Sequence, residues 1–388
     1  MNQHFLTEDI AAIANQLGPV ANDFAGKTLL LSGGRGFLGR YFTEVFLYLN
    51  KKVLASPCKL IVLDNFITSG KHGAQIGAED NIQFFQHDVI QPFDPGSEVE
   101  IDFVVHAAGI ASPYYYRAYP LETLGVAISG TRNLLKLATE RSSRFTFFSS
   151  SEIYGDPDPV YVPTPESYRG NVTCQGPRAC YDESKRVGET LCYIFHQQSG
   201  TCTNTIRPFN VFGPGMQEAD YRVMPNFASR IKGGLPLNIY GDGQQTRTFC
   251  YISDAINGFL RVIARGVPGE AYNIGNPNPE ISMLGLASMI ETVLSRKIPL
   301  ALTAYPDSYP ADEPNRRCPD IRKARIQLGY DPQVKLADGL RKFLDWTDQP
   351  PPSRLAQKLL SLLASVGLVG PVQKFSQTIS ELYLRVIL

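Results

Sequence analysis

Lys27-Thr28-Leu29-Leu30-Leu31-Ser32-Gly33-Gly34-Arg35-Gly36-Phe37-Leu38-Gly39 decides the fold. The apolar run is continuous rather than alternating, as in a parallel strand buried on both faces. Glycines at 33, 36 and 39 follow, and then Phe37, Leu38, Tyr41, Phe42, Val45, Phe46 and Leu49 recur at helical spacing. In such a turn one glycine allows the sharp bend, another lets backbone approach a pyrophosphate, and the third lets helix and strand pack closely. The helix N-terminus offers N–H groups and the positive end of its dipole to phosphate. A phosphate-loop nucleoside triphosphatase is excluded, because no Gly-Lys-Ser/Thr follows.

Working outward, Leu60-Ile61-Val62-Leu63 is a second buried strand and ends at Asp64. A carboxylate there accepts both hydroxyls of an adenosine ribose and repels a 2′-phosphate, which favours NAD over NADP. Ile82 to Phe85 and Phe103 to Val105 read as further strands, the latter ending at His106-Ala107-Ala108. Thr131 to Thr139 is helical, and Phe145 to Phe148 runs into Ser149-Ser150-Ser151. Strands alternating with helical crossovers specify an α/β fold with a doubly wound parallel (Rossmann) sheet. From about residue 213, Gly233-Gly234, Gly241-Asp242-Gly243 and Asn276-Pro277-Asn278-Pro279 punctuate shorter elements, which predicts a smaller C-terminal substrate-binding lobe.

The expected organisation has four parts. Residues 1–26 carry an N-terminal helix, starting at Thr7-Glu8-Asp9, stopping at Gly18 and packing outside the core. Residues 27–212 are mainly the NAD-binding domain, and 213–349 mainly the substrate-binding lobe, interleaved with it. Residues 350–388 follow Pro350-Pro351-Pro352 as a helical appendage with Leu355, Leu359, Leu362, Leu363 and Val366 on one face.

Composition narrows the class. The 388 residues carry 37 Lys and Arg against 37 Asp and Glu, a balance that argues against a nucleic-acid partner. With 43% hydrophobic and 19% charged residues the chain is globular rather than disordered. The seven cysteines form no Cys-x-x-Cys pair and the five histidines show no ligand spacing, so neither a metal nor a disulfide framework is expected. A secretory signal and an apolar run of membrane-spanning length are both missing, and the expected location is cytoplasmic with no transmembrane segment. Asn171-Val172-Thr173, a formal glycosylation acceptor, is then a chance match.

Tyr181-Asp182-Glu183-Ser184-Lys185 places a phenol and an ammonium at i and i+4 on one helix face. A nearby ammonium favours the phenolate, which removes a hydroxyl proton as hydride leaves the same carbon. Tyr-x-x-x-Lys is common by chance, and its weight here comes from lying one strand downstream of the three serines.

With these motifs the chain resembles the extended short-chain dehydrogenases/reductases acting on nucleotide sugars, over roughly Lys27 to Trp346. Further matches are Asp64-Asn65-Phe66, His87-Asp88-Val89, Ala111-Ser112-Pro113, Gly176-Pro177-Arg178-Ala179-Cys180, Gln245-Thr246-Arg247-Thr248-Phe249 and Arg317-Cys318-Pro319-Asp320-Ile321. The resemblance implies that Gly33, Gly36, Phe37, Leu38, Gly39, Asp64, Asn65, Asp88, Val89, Ala107 and Ala108 surround the cofactor with Tyr181 and Lys185. It implies that Ser150 hydrogen-bonds the reacting sugar hydroxyl. The run Ser150-Ser151-Glu152 has Ser151 where the dehydratases of the family carry Asp, and looks like the members that decarboxylate UDP-glucuronate to UDP-xylose through a 4-keto sugar with internal recycling of NAD. In such a member Tyr181, Lys185, Glu152, Ser150, Ser151 and Arg317 are catalytic, Glu152 handling a proton near C5 and Arg317 positioning the carboxylate. Asn210, Arg247, Arg178 and Tyr240 bind substrate, and helix 181–199 pairs two subunits into a homodimer. Ala127 departs from the family's usual Asn. Alternatives at the same Tyr and Lys are a 4-epimerase, a branched-pentose synthase or a 4,6-dehydratase; a non-catalytic NAD-binding scaffold is a third class.

Overall fold

The continuous apolar runs assemble side by side, because strands apolar on both faces are stable only with helices covering both. A computed structural model describes residues 5–69, 81–217, 220, 222–304 and 314–348. The first half of the chain runs α1 (Thr7–Leu17), β1 (Thr28–Ser32), α2 (Phe37–Lys52), β2 (Lys59–Asp64), β3 (Ile82–Gln86), β4 (Phe103–His106), α3 (Pro113–Ala118), α4 (Pro120–Gly125), α5 (Thr131–Glu140), β5 (Arg144–Phe148), α6 (Ala179–Ser199) and β6 (Thr203–Pro208). The second half runs β7 (Val211–Phe212), α7 (Val223–Lys232), β8 (Leu237–Tyr240), β9 (Thr246–Arg247), β10 (Cys250–Tyr251), α8 (Ile252–Arg265), β11 (Ala271–Ile274), β12 (Ile281–Ser282), α9 (Met283–Leu294), β13 (Leu300–Thr303), β14 (Arg316–Arg317), α10 (Arg322–Leu328) and α11 (Leu336–Asp348). The expected appendage at 350–388 lies outside the described residues.

Seven parallel strands form the central sheet in the order β11-β6-β5-β4-β1-β2-β3. The chain reverses direction across the sheet between β1 and β4, and ligands of open α/β sheets bind at that crevice. Ser32 is in register with His106 on one side and Leu63 on the other, so the loops carrying Gly33, Asp64 and Ala107 all open at the carboxyl edge. The second region is interleaved with the first, since β11 completes the main sheet. Its own three-stranded sheet has β9 between β12 and β14, and sets Arg247 opposite Arg317.

One expectation needs correction. The N-terminal helix is not peripheral: Ile13 and Leu17 are buried in the main core, where α1 packs on α2 and α8. Its buried Asp9 accepts from Tyr251 Oη at 2.6 Å and Lys342 Nζ at 2.9 Å, tying it to β10 and α11. Between α4 and α5 the chain forms a π-helical turn, Val126–Gly130, with Ala127 buried inside it. Sequence periodicity reports a helix here but not the widened turn.

The contact that positions the chemistry is α6 against β5. A Cβ on Gly188 would stand 2.2 Å from the Phe147 ring, so the glycine lets the helix lie directly on the strand. Gly188→Ala should therefore destabilise the protein by about 1–3 kcal/mol through overpacking, although alanine is favoured over glycine in a helix by about 1 kcal/mol. Thermal or urea unfolding measures this, and a more stable variant contradicts it.

Candidate active site

The glycine turn opens a cleft of about 210 Å³ lined by Gly33, Gly36, Phe37, Leu38, Gly39, Asp64, Asn65, Val89, Ala107 and Ala108. The three glycines have separate tasks. At Gly33, whose φ is +74°, a Cβ would meet the Ala108 backbone at 2.7 Å; at Gly39 it would meet Gly33 O at 2.3 Å. At Gly36 the nearest atom is 3.3 Å away, so that position keeps the approach to the α2 N-terminus open. No side chain caps that N-terminus, which leaves its donors directed at an anion. Asp64 accepts from Arg35 N at 2.8 Å, Phe66 N at 2.8 Å and Ser69 Oγ at 3.0 Å, which fixes the carboxylate at the strand end. Asp88 stands behind this cleft and orients Asn65, accepting from its Nδ2 at 3.0 Å. These residues fit a dinucleotide with a pyrophosphate over α2 and a ribose at Asp64.

A second cleft of about 310 Å³ shares Phe37, Leu38, Ala107 and Gly109 with the first. Its wall carries Ser150, Ser151, Glu152, Arg178, Tyr181, Lys185, Asn210, Tyr240, Arg247 and Arg317, joining both halves of the chain. Ser150 begins a short 3-10 turn after β5 and accepts from Glu152 N at 3.2 Å, which holds serine and glutamate side by side. Tyr181 stacks on Tyr116 at 5.3 Å and 15°. Lys185 Nζ donates to Phe148 O at 2.8 Å and lies 5.6 Å from the centre of the Tyr181 ring. Asn210 donates to Thr248 O at 2.9 Å, and Arg247 to Thr246 O at 2.8 Å, so both are fixed by backbone at the cleft.

The charges differ from the simple sequence picture in one respect. Burial pushes the Tyr181 phenol above its ordinary value, while the hydrogen bond with Ser150 pulls it down. The expected lowering by Lys185 is not seen: the ammonium faces the ring and donates to a carbonyl. Burial lowers Lys185 itself to about 8. His106, at the end of β4, is pushed down to about 3 by burial and by Lys185. Its Nδ1 lies 2.8 Å from Ser32 Oγ, and a neutral ring so enclosed supports the strand ends rather than moving protons.

Glu152 is held by two arginines. Arg317 meets it in a fork at 2.5 and 2.7 Å, and Arg178 hydrogen-bonds its Oε2 as well. Such a fork fits a carboxylate better than an ammonium could. A carboxylate and two guanidiniums beside a phenol, a serine and an ammonium can accept an anionic sugar, remove a hydroxyl proton and return one to carbon. Among the described residues no cluster of His, Cys, Asp and Glu could hold a metal ion.

The structure brings every expected site residue to one of the two clefts except Asp88, which stands one hydrogen bond behind. Sequence reasoning missed Asp220 and Arg222, ion-paired to each other, and Arg222 lines both clefts. It also missed Asp182, whose signal was legible as an i,i+4 pair with Arg178.

Comparisons with known proteins agree with this geometry. Residues 29–275 match the model of the NAD dependent epimerase/dehydratase family. UDP-glucuronic acid decarboxylase 1 of Xenopus tropicalis is 38% identical over 322 residues, 82% of this chain and 72% of that protein. UDP-glucuronic acid decarboxylase 3 of Arabidopsis thaliana is 38% identical over 314 residues, covering 80% and 86%. Among solved structures, a dTDP-glucose 4,6-dehydratase from Streptomyces venezuelae with NAD bound superposes with a TM-score of 0.70 at 27% identity, covering 82% of this chain and 96% of that one. A UDP-glucuronic acid 4-epimerase from Bacillus cereus, in complex with UDP-glucuronic acid and NAD, gives 0.69 at 25% identity, covering 83% and 99%.

Asp64→Ala leaves Arg35 N and Phe66 N without their acceptor and removes the carboxylate that a bound ribose would meet. NAD affinity should fall about 10- to 100-fold, equivalent to about 1–3 kcal/mol. Fluorescence titration with NAD measures this, and unchanged affinity would remove Asp64 from the cofactor site.

Proposed function

The chain belongs to the NAD dependent epimerase/dehydratase family, and from that premise we propose that it decarboxylates UDP-glucuronate to UDP-xylose. The observation that carries this reading is Glu152, gripped by Arg317 and Arg178 in the wall of the cleft that holds Tyr181. A 4-epimerase needs a base and room for the sugar to turn. Guanidiniums at the cleft wall, with a carboxylate beside them, serve a reaction centred on the sugar's own carboxylate.

NAD, when bound, accepts hydride from C4 of the sugar and gives it back, so it is recycled and stays resident. Tyr181 takes the proton of the C4 hydroxyl as the carbon is oxidised, and Ser150 donates to the same oxygen. Arg317 holds the C6 carboxylate of the resulting β-keto acid until the C5–C6 bond breaks. The electron pair of that bond flows into the C4 ketone, CO₂ leaves, and the enolate oxygen is held by Tyr181 and Ser150. A solvent proton is passed to C5 through Glu152, which ends the cycle ionised as it began; Ser151 lines the cleft beside it, and Tyr181 returns its proton to the C4 oxygen. Lys185 keeps a positive charge against the phenol ring throughout. Asn210, Arg247 and Tyr240 bind the nucleotide diphosphate end. The net change is one proton consumed and one CO₂ released.

Two finer points belong to the same reading. A homodimer is supported by the outer faces of α6 and of the 120–130 segment packed against it, where Tyr193, Ile194, Leu121 and Ile128 are exposed. A cytoplasmic location is supported by seven free cysteines, and no described helix is long and apolar enough to cross a membrane.

Incubation with UDP-glucuronate should release CO₂ and form a UDP-pentose; a C4 epimer without gas overturns the decarboxylase reading. Tyr181→Phe should lower kcat by about 10²- to 10⁴-fold with NAD still bound, and an active variant removes Tyr181 as base. Because the Lys185 ammonium is lost as pH rises through about 8, kcat should fall on the alkaline side near that value. A flat alkaline profile contradicts the need for its charge.

A further inference from the structure

Asp182 follows Tyr181 on α6 and is buried behind Arg178. Its Oδ2 lies 3.5 Å from Arg178 Nε. Its Oδ1 is fully buried and has no hydrogen-bond partner among the described residues. The far end of Arg178 grips Glu152, which Arg317 grips in turn. Four charges thus stand in a row, Asp182, Arg178, Glu152 and Arg317, with side chains 9%, 9%, 18% and 6% exposed. The row is neutral: two carboxylates and two guanidiniums. Glu183 adds a more distant negative charge from the same helix, and the Tyr181 phenol and Cys180 thiol stand beside Asp182.

A uronate that seats its carboxylate on Arg317 brings a third negative charge to two cations. Buried charge without compensation is costly, and the inexpensive remedy is a proton on one of the acids. Glu152 is a poor recipient, because two guanidiniums already hydrogen-bond its oxygens. Asp182 has one long ion pair and an oxygen facing no partner.

We propose that Asp182 takes up a proton when the substrate carboxylate binds, making it the positioning residue that adjusts the charge of the site to accept a uronate. This rests on the reading of Arg317 as the carboxylate's seat. Burial already raises Asp182 to about 6, against the pull of Arg178 and Arg317, so at neutral pH it is ionised but close to protonation. A third carboxylate raises its proton affinity further. Binding of the uronate therefore tightens as pH falls toward about 6 and levels off below, where Asp182 already carries the proton. A nucleotide sugar without a carboxylate brings no such charge and shows no such dependence.

Isothermal titration calorimetry tests this on the NAD-loaded enzyme, in a Tyr181→Phe background that prevents turnover. UDP-glucuronate and UDP-glucose are titrated near neutral pH in two buffers of different ionisation enthalpy. The expected result is uptake approaching one proton with UDP-glucuronate and none with UDP-glucose. UDP-glucuronate affinity should weaken by up to about tenfold per pH unit above neutrality. Adding Asp182→Asn should abolish uptake and flatten the affinity profile. Zero uptake with the uronate, equal uptake with both ligands, or uptake that persists in Asp182→Asn overturns the proposal. The two-ligand comparison needs no substitution at Asp182 and stands even if that variant does not fold. If the unsubstituted enzyme releases CO₂ but the uronate brings no proton, only this inference fails; if it neither binds UDP-glucuronate nor releases CO₂, the functional reading fails with it.

Discussion

A buried ammonium bonded to the last carbonyl of a parallel strand, Lys185 Nζ to Phe148 O at 2.8 Å, fixes where the chemistry of this molecule takes place. It locks α6 to the carboxyl end of β5, and the bare surface of Gly188 against Phe147 allows the helix to come close enough. The consequence is geometric. Tyr181, one turn before Lys185, is brought over the serine turn that follows β5, beside the crevice where a parallel sheet offers its loop ends to ligands. The same burial that makes the contact strong lowers the lysine and raises the tyrosine, so the pair is poised by desolvation more than by mutual attraction.

The second lobe supplies what this first constraint cannot. Its three short strands put Arg247 and Arg317 in register, one fixed by backbone carbonyls and the other reaching across to Glu152. The Tyr181 phenol from the sheet domain and the Arg317 guanidinium from the lobe thus meet in one cleft only in the folded whole. The row from Asp182 to Arg317 crosses that junction, and its zero net charge lets it be buried without a free ion.

Much of this was legible before the structure. Continuous apolar runs named the parallel sheet, and Gly33, Gly36 and Gly39 between strand and helix named the turn that opens the first cleft, because both patterns are local and have one physical solution. Tyr181 and Lys185 were legible as a helical pair anchored by nearby serines. Non-local facts were not. The burial of the N-terminal helix depends on α8 and α11, far away in sequence. The rise of the Tyr181 phenol comes from burial, and the missing pull of Lys185 depends on where that ammonium finds its acceptor, Phe148 O, 37 residues away. Arg222 carries no local pattern, and only folding brings it between the clefts. The π-helical turn at Val126–Gly130 is likewise silent, since apolar spacing does not distinguish a widened turn from a regular one.

The account turns on an oxidation that is undone in place, with a carbon–carbon bond broken in between. UDP-glucuronate carrying deuterium at C4 reads this directly. The prediction is a UDP-pentose that keeps deuterium at C4, gains one solvent hydrogen at C5, and forms in step with one CO₂. A product that has lost the C4 label, or one that keeps all six sugar carbons, contradicts it.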